Sequence, residues 1–115
     1  MKTIIAGGRD YNLYEREFNI LDRLRIEIPI TEVVSGGARG TDYGGEAWGH
    51  RRGLDVTIFP ANWRQHSKAA APIRNAEMAA YAEACVLFPG KGTANMFEQA
   101  KKHGLVIYDF RKLSK

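Results

Sequence analysis

Five short apolar runs constrain the fold of this chain more than any other feature of its sequence. They cover residues 3–6, 32–35, 55–59, 84–88 and 105–108, and glycine or proline ends the first four. Amphipathic or capped segments at about residues 14–26, 41–52, 72–83 and 93–103 separate the runs and predict helices. The runs are continuously apolar rather than alternating, which is typical of strands buried on both faces. The pattern therefore predicts a parallel sheet with helices on both sides.

We predict an α/β fold with a single, open, doubly wound domain. Its mainly parallel sheet has five strands, flanked by about four helices, over residues 1–110. Residues 111–115 form a basic C-terminal tail, and residues 61–71 are the longest irregular stretch. A length of 115 residues fits one domain and leaves no room for two.

Composition excludes several classes of protein. One cysteine, Cys85, rules out an internal disulfide framework and a Cys-based zinc site, so we expect a cytoplasmic protein. The three histidines lack metal-ligand spacing, and we predict no metal and no cofactor. No apolar run approaches the roughly 18 residues that span a bilayer, and the first residues turn polar too soon for a signal peptide. The net charge of +4 suggests an anionic partner.

Glycines and cations cluster where a parallel sheet of this kind binds ligands, at the carboxyl ends of its strands. Glycine pairs or triplets follow the first, second and fourth strands, at positions 7–8, 36–40 and 90–92. Arg39, Arg74 and Lys91 lie near predicted helix starts, where a cation opposes the helix dipole unless an anion binds there. Two simpler explanations stay open: the glycines serve tight turns, and the cations point into solvent.

The common phosphate and hydrolase motifs are absent from the sequence. There is no G-x-x-x-x-G-K-[ST] loop and no G-x-G-x-x-G after the first strand, which argues against P-loop NTPases and dinucleotide oxidoreductases. Neither G-x-S-x-G nor H-E-x-x-H occurs.

Two stretches together resemble a known superfamily. Residues 34–42, Val-Ser-Gly-Gly-Ala-Arg-Gly-Thr-Asp, are similar to the SGxARGxD loop of the DprA family. Residues 74–78, Arg-Asn-Ala-Glu-Met, and 88–93, Phe-Pro-Gly-Lys-Gly-Thr, are similar to the RKxxM and PGGxGT motifs of LOG phosphoribohydrolases. Both families belong to the SLOG superfamily of Rossmann-like domains. With Gly7-Gly8-Arg9-Asp10, the whole chain most resembles the YspA/cpYpsA-related SLOG family.

The resemblance implies a site for a nucleotide or a nucleotide-derived ligand. The turn at residues 89–93 would hold a phosphate, and the turn at residues 36–42 would form a second wall. Trp63 follows the third strand and either stacks on a base or packs under its loop. The full predicted binding set is Gly7, Gly8, Arg9, Ser35, Gly36, Gly37, Arg39, Gly40, Asp42, Trp63, Arg74, Asn75, Pro89, Gly90, Lys91, Gly92, Thr93 and Asn95.

One departure from the LOG pattern bears on catalysis. LOG enzymes carry a catalytic glutamate three residues after the motif threonine, and Met96 occupies that position here. Arg74 matches the arginine that LOG enzymes use at the scissile ribose phosphate. Asp42, Glu46, Glu77 or Glu98 could substitute for the missing glutamate, and we take Arg74, Glu77 and Glu98 as the candidate catalytic set.

Three functions follow, in order of preference. The first is binding of a nucleotide-like small molecule, for sensing or sequestration, without a membrane or nucleic-acid partner. The alternative is an enzyme that hydrolyses the N-glycosidic bond of a nucleoside monophosphate. DprA-like binding of single-stranded DNA ranks third, because the basic residues are dispersed. We also predict a homodimer, with Ala79, Ala80 and Ala82 permitting close contact.

Overall fold

A computed structural model describes residues 1–114 of the chain. Its strands β1 to β5 span Lys2–Ala6, Glu32–Ser35, Asp55–Ile58, Ala84–Leu87 and Val106–Asp109. Its helices α1 to α5 span Glu15–Glu27, Thr41–Arg51, Trp63–His66, Ala70–Tyr81 and Thr93–Lys102. The five strands and four long helices are those predicted from the sequence, with boundaries that differ by one or two residues.

The strands form one parallel sheet in the order β3-β2-β1-β4-β5. In the register, Ile4 of β1 lies beside Val34 of β2 and Cys85 of β4. The chain first builds outward from β1 to β3 and then returns to add β4 on the other side of β1. The strand order therefore reverses between β1 and β4, which is where such folds open a crevice for ligands.

Neighbouring residues of each central strand face opposite layers of the core. Ile4 packs with Met78 in the layer under α4 and α5, whereas Ile5 packs with Trp48 and Leu21 in the layer under α1 and α2. Both faces of the sheet are thus covered, which explains the continuously apolar strands. None of the helices within residues 1–114 is long and apolar enough to cross a membrane.

Trp48 joins α1 to α2 through a polar contact at the edge of the core. Its ring is fully buried, and its indole N–H donates to Asp22 Oδ1 at 2.9 Å. Arg52 donates to both carboxylate oxygens of Asp22 at 2.8 Å. The two helices therefore share one hydrogen-bonded anchor, which satisfies the buried indole donor.

The segment predicted as irregular contains a short helix and a turn. Asn62 caps α3 by accepting from the Gln65 N–H at 3.0 Å, and a 3₁₀ turn at Ser67–Ala69 leads directly into α4. Helix α4 consequently begins at Ala70, two residues before the predicted start at Pro72. Pro72 still lies in the first turn, where a missing N–H costs no hydrogen bond.

The alanine positions expected at a dimer contact are mostly buried within the chain itself. Ala79 and Ala82 are 1% and 9% exposed and pack in the core beside Met78, so only Ala80 is free to meet a partner. The predicted contact along all three alanines is therefore wrong, because this stripe of α4 already covers the sheet. The homodimer stays a prediction, to be measured by size-exclusion chromatography with light scattering.

The described part of the predicted basic tail contacts the domain. Arg16 Nη2 donates to the Ser114 carbonyl oxygen at 2.6 Å, and Leu113 packs against the core layer under α1. Arg111 pairs with Asp109 at 2.8 Å. Lys115 lies outside the described residues. Cys85 is buried in β4, and burial raises the pKa of its thiol to about 12, so the thiol stays protonated and unreactive.

Candidate functional site

A cleft of about 530 Å³ opens at the carboxyl ends of β1 and β4, where the strand order reverses. Most of the predicted binding residues meet there. Those that line it are Gly7, Gly8, Arg9, Arg39, Asp42, Arg74, Asn75, Gly90, Lys91, Gly92 and Thr93. Three loops distant in sequence are therefore brought to one place, as expected for strand ends of a parallel sheet.

The remaining predicted residues lie behind or beside the cleft. Ser35 is buried and its Oγ donates to Glu46 Oε2 at 2.6 Å, while Asn95 Oδ1 accepts from Asn75 Nδ2 at 3.0 Å. Asn95 therefore supports the lining residue Asn75, whereas neither Ser35 nor Glu46 lines the cavity. The predicted residues outside the lining are Ser35, Gly36, Gly37, Gly40, Trp63, Pro89 and Asn95.

Two glycines close the floor of the cleft by direct backbone contact. Gly8 N–H donates to the Pro89 carbonyl oxygen at 2.9 Å. A Cβ on Gly90, whose φ is +145°, would lie 2.1 Å from the Gly8 Cα. These glycines are thus required by close packing of the loops after β1 and β4, in addition to any contact with a ligand.

The start of α5 offers unpaired donors to the cleft. Gly92 precedes the helix with φ at +84° and open space around it, and the Thr93 hydroxyl donates to the Gly90 carbonyl oxygen at 3.0 Å. The N–H groups of the first turn have no carbonyl partner within the helix. With Lys91 exposed beside them, they form a suitable site for an anion.

Arg74 projects from α4 toward the loop after β2. Its Nη1 donates to the Gly36 carbonyl oxygen at 2.8 Å, and its Nε donates to Asn75 Oδ1 at 3.0 Å. Burial lowers the pKa of this guanidinium, and the nearby Asp42 carboxyl acts in the opposite direction. Because α4 begins at Ala70, Arg74 lies in its second turn rather than at the predicted helix start. Hydrogen bonds hold its side chain in place, and its charge does not lie at the helix start, where it would oppose the dipole.

Asp42 is the buried carboxyl of the cleft. It lies in the first turn of α2 with 7% of its surface exposed, and its Oδ2 accepts from the Ala38 N–H at 3.1 Å. Burial raises the pKa of Asp42 to about 6, although the Ala38 hydrogen bond and the charge of Arg74 both lower it. The carboxyl therefore changes protonation close to neutral pH, a property that serves acid–base chemistry.

We expect Asp42→Asn to stabilise the protein near neutral pH. Since the pKa rises from 3.8 to about 6 on folding, ionising this carboxyl opposes folding. Its contribution to the free energy of unfolding falls by up to about 3 kcal/mol as pH rises from about 4 to about 6, and stays low above that range. Urea unfolding of both proteins between about pH 4 and about pH 8 measures the difference.

In that experiment, the increase in the free energy of unfolding caused by Asp42→Asn should be largest above about pH 6 and should shrink toward about pH 4. Asp109→Asn is the matched control, because the hydrogen bonds from Arg111 lower the pKa of Asp109. Removing that carboxylate should destabilise rather than stabilise. A gain for Asp42→Asn that is equal at all pH values would contradict the assignment.

Arg39 and Arg9 make weak contacts at the outer rim. Arg39 Nη2 lies 3.1 Å from Asp10 Oδ1, with the two side chains 67% and 83% exposed. The Arg9 guanidinium carbon lies 5.6 Å from the centre of the Trp63 ring, and Trp63 is half exposed. Trp63 therefore contacts the cleft through Arg9 and does not line it. Exposed pairs of this kind contribute little stability, so the guanidinium groups remain available to a ligand.

An apolar wall of the cleft escaped prediction. Met78 and Met96 are each 2% exposed and line the cavity. The sequence marks Met96 only as a departure from the LOG glutamate, and helical spacing alone would assign both methionines to the core. Seven residues line the cleft without belonging to the predicted binding set. They are Ala6, Asp10, Tyr11, Ala38, Ala71, Met78 and Met96.

The two glutamates in the suggested catalytic set do not reach the cleft. Glu77 is exposed about 100° around α4 from Met78, and Glu98 is exposed about 200° around α5 from Met96. Helix geometry therefore turns both carboxylates away from the cavity. Asp10 and Asp42 are the carboxylates that line it, and Asp10 is paired with Arg39.

The geometry defines a Rossmann-like α/β protein with a cleft at the point where its strand order reverses. The sequence model of the YspA, cpYpsA-related SLOG family matches residues 1–66, and the chain belongs to this family. The chain is 40% identical to the Gene 61 protein of Mycobacterium phage D29, with 95% of each chain covered.

A solved structure shares the fold. DNA processing protein A (DprA) from Streptococcus pneumoniae superposes with a TM-score of 0.72 over 94% of this chain at 15% identity. The chain spans about half the length of that protein, 49%. This likeness confirms the predicted fold class, and family membership supports a nucleotide-related role in general.

Proposed function

We propose that the cleft binds a nucleoside monophosphate or a related nucleotide, for sensing or sequestration. The observation that carries the proposal is the pairing of an anion site with an apolar wall in one cavity. Lys91 and the first turn of α5 lie at the anion site, and Met78 and Met96 form the wall. A volume of about 530 Å³ falls within the range of small-molecule sites, about 300–1,000 Å³.

The charges of the lining favour a phosphate over a neutral ligand. The lining carries four cationic side chains, Arg9, Arg39, Arg74 and Lys91, against the two carboxyls of Asp10 and Asp42. Hydrogen bonds from cationic donors to phosphate are among the strongest in proteins. A base against the methionine wall would add apolar burial to this attraction, with Ala38 and Ala71 supplying surface beside the nearly buried methionines.

We expect a nucleoside monophosphate to bind more tightly than either of its parts. Isothermal titration calorimetry with AMP, GMP, CMP and UMP is compared with inorganic phosphate and with the four nucleosides. The binding free energy of the nucleoside monophosphate should be more favourable than that of phosphate or of the nucleoside by several kcal/mol. Joining the two parts in one ligand avoids a second loss of rotational and translational freedom. Absence of binding by every phosphate ligand would remove the proposal.

Asp42 favours a second candidate, hydrolysis of the N-glycosidic bond. Its carboxyl lies in the same cavity as the Arg74 guanidinium, and its pKa of about 6 leaves it largely ionised near neutral pH. A carboxylate there would stabilise the oxocarbenium-like transition state while water adds to the ribose and the base leaves with a proton. The products would be a free base and ribose 5-phosphate.

Chromatography of incubated nucleoside monophosphates distinguishes binding from hydrolysis. If the protein is an enzyme, the wild-type chain releases free base. The Asp42→Asn variant should then release it at least about 100-fold more slowly while still binding the ligand. Glu77→Gln is the matched control, because its carboxylate faces away from the cleft. Tight binding without base release would leave sensing or sequestration as the function.

A further inference from the structure

A second cavity adjoins the cleft on its α2 side. Its volume is about 500 Å³, and the residues that line it without lining the cleft are Asn12, Leu13, Gly40, Tyr43 and Gly44. Three residues line both cavities, namely Arg9, Asp10 and Arg39. The proposed nucleotide site therefore continues into a further space of similar size.

The side chains shared by the two cavities include a weak ion pair. Arg39 Nη2 and Asp10 Oδ1 are 3.1 Å apart, and both side chains are more than half exposed. Solvent screens such a pair, so a phosphate competes effectively with Asp10 for the guanidinium. Arg9 lies beside them with its guanidinium over the Trp63 ring. Two cationic groups are thus placed between the cavities.

Tyr43 gives the second cavity an aromatic surface. It lies in the first turn of α2 and is 57% exposed. Within residues 1–114 its ring has no aromatic partner at stacking distance, whereas Tyr11 stacks on Phe88 in the core. An exposed ring beside a cavity is suited to stacking on a base.

We propose that the two cavities together bind a dinucleotide in which a pyrophosphate joins two nucleosides. This inference rests on the proposed function, since the first nucleoside occupies the cleft. The pyrophosphate then runs from the start of α5 toward Arg9 and Arg39, and the second nucleoside stacks on Tyr43. The lining has a matching order across the two cavities. The Tyr43 ring would meet one base, the cationic groups of Arg9 and Arg39 the pyrophosphate, and the methionine wall the other nucleoside.

Calorimetry with ADP and with diadenosine diphosphate tests the inference. The two ligands share an adenosine and a pyrophosphate and differ by the second nucleoside. Diadenosine diphosphate carries less negative charge, so electrostatics alone would favour ADP. We expect it to bind about tenfold more tightly than ADP because of stacking on Tyr43. If guanine is preferred in the cleft, GDP and diguanosine diphosphate replace this pair.

Variants at Tyr43 separate stacking from other effects. Tyr43→Ala should lose about tenfold in affinity for the dinucleotide and leave ADP within about twofold, whereas Tyr43→Phe should retain both affinities. Tyr14→Ala is the matched control, since Tyr14 is 70% exposed and lines neither cavity. Equal affinity for the two ligands, or equal losses in Tyr43→Ala, would overturn the inference while leaving the mononucleotide proposal intact. If no mononucleotide binds, the proposed function falls, and the dinucleotide inference falls with it.

Discussion

Arg74→Ala should weaken binding of the preferred nucleoside monophosphate by about 100-fold, the value of one strong charge-assisted hydrogen bond in a partly buried site. The side chain lines the cleft and is held by the Gly36 carbonyl oxygen and by Asn75. A ligand phosphate would meet a guanidinium already oriented, which limits the entropy lost on binding. Isothermal titration calorimetry measures the change.

Two controls accompany the Arg74 experiment. Arg74→Lys keeps the positive charge and loses the planar fork, so it should recover only part of the affinity. Arg23→Ala removes an exposed arginine of α1 that does not line the cleft, and should leave the affinity unchanged. Binding by Arg74→Ala within about threefold of the wild type would contradict a contact between Arg74 and the phosphate.

Gly90→Ala should destabilise the fold by about 4 kcal/mol. The new Cβ would lie 2.1 Å from the Gly8 Cα and 2.3 Å from the Gly8 nitrogen, and the φ of +145° is one that alanine rarely adopts. Backbone strain and overpacking each cost about 1–3 kcal/mol, and separating the two loops would weaken the hydrogen bond from Gly8 N–H to the Pro89 carbonyl oxygen. Urea unfolding of the variant measures the loss.

Gly53→Ala isolates the part of this effect that comes from the backbone dihedral. Gly53 has a φ of +70°, and a Cβ there meets nothing within 4 Å. Its substitution should cost only about 1 kcal/mol. If the two variants lose the same stability, the contact between Gly8 and Gly90 is not the cause. A Gly90→Ala chain that fails to fold while Gly53→Ala folds supports the same reasoning.

The fold could be predicted because its signals are local and repeated. Continuous apolar strands ended by glycine or proline, with a helix between each pair, admit few arrangements other than a parallel sheet. The short helix α3 was missed because four residues carry too little periodicity to predict a helix. The Asn62 and Gln65 pair that caps it was the available signal.

The candidate site was predicted on its polar side and missed on its apolar side. Glycines and arginines at strand ends are unusual enough to attract attention, whereas Met78 and Met96 have the spacing of ordinary core residues. Glu77 and Glu98 were suggested by proximity in sequence, and only the helix positions show that they face away from the cleft. The buried environment that raises the pKa of Asp42 depends on tertiary packing, which no spacing in the sequence reveals.

The cleft lies where the strand order reverses, so distant parts of the chain form its walls. Its walls come from residues 6–42 on one side and residues 71–96 on the other, and the family match at residues 1–66 includes only the first of these. A bound ligand therefore acts as a noncovalent crosslink between the N-terminal and C-terminal halves. Occupancy should stabilise both halves as one cooperative unit, by an amount that grows with ligand concentration.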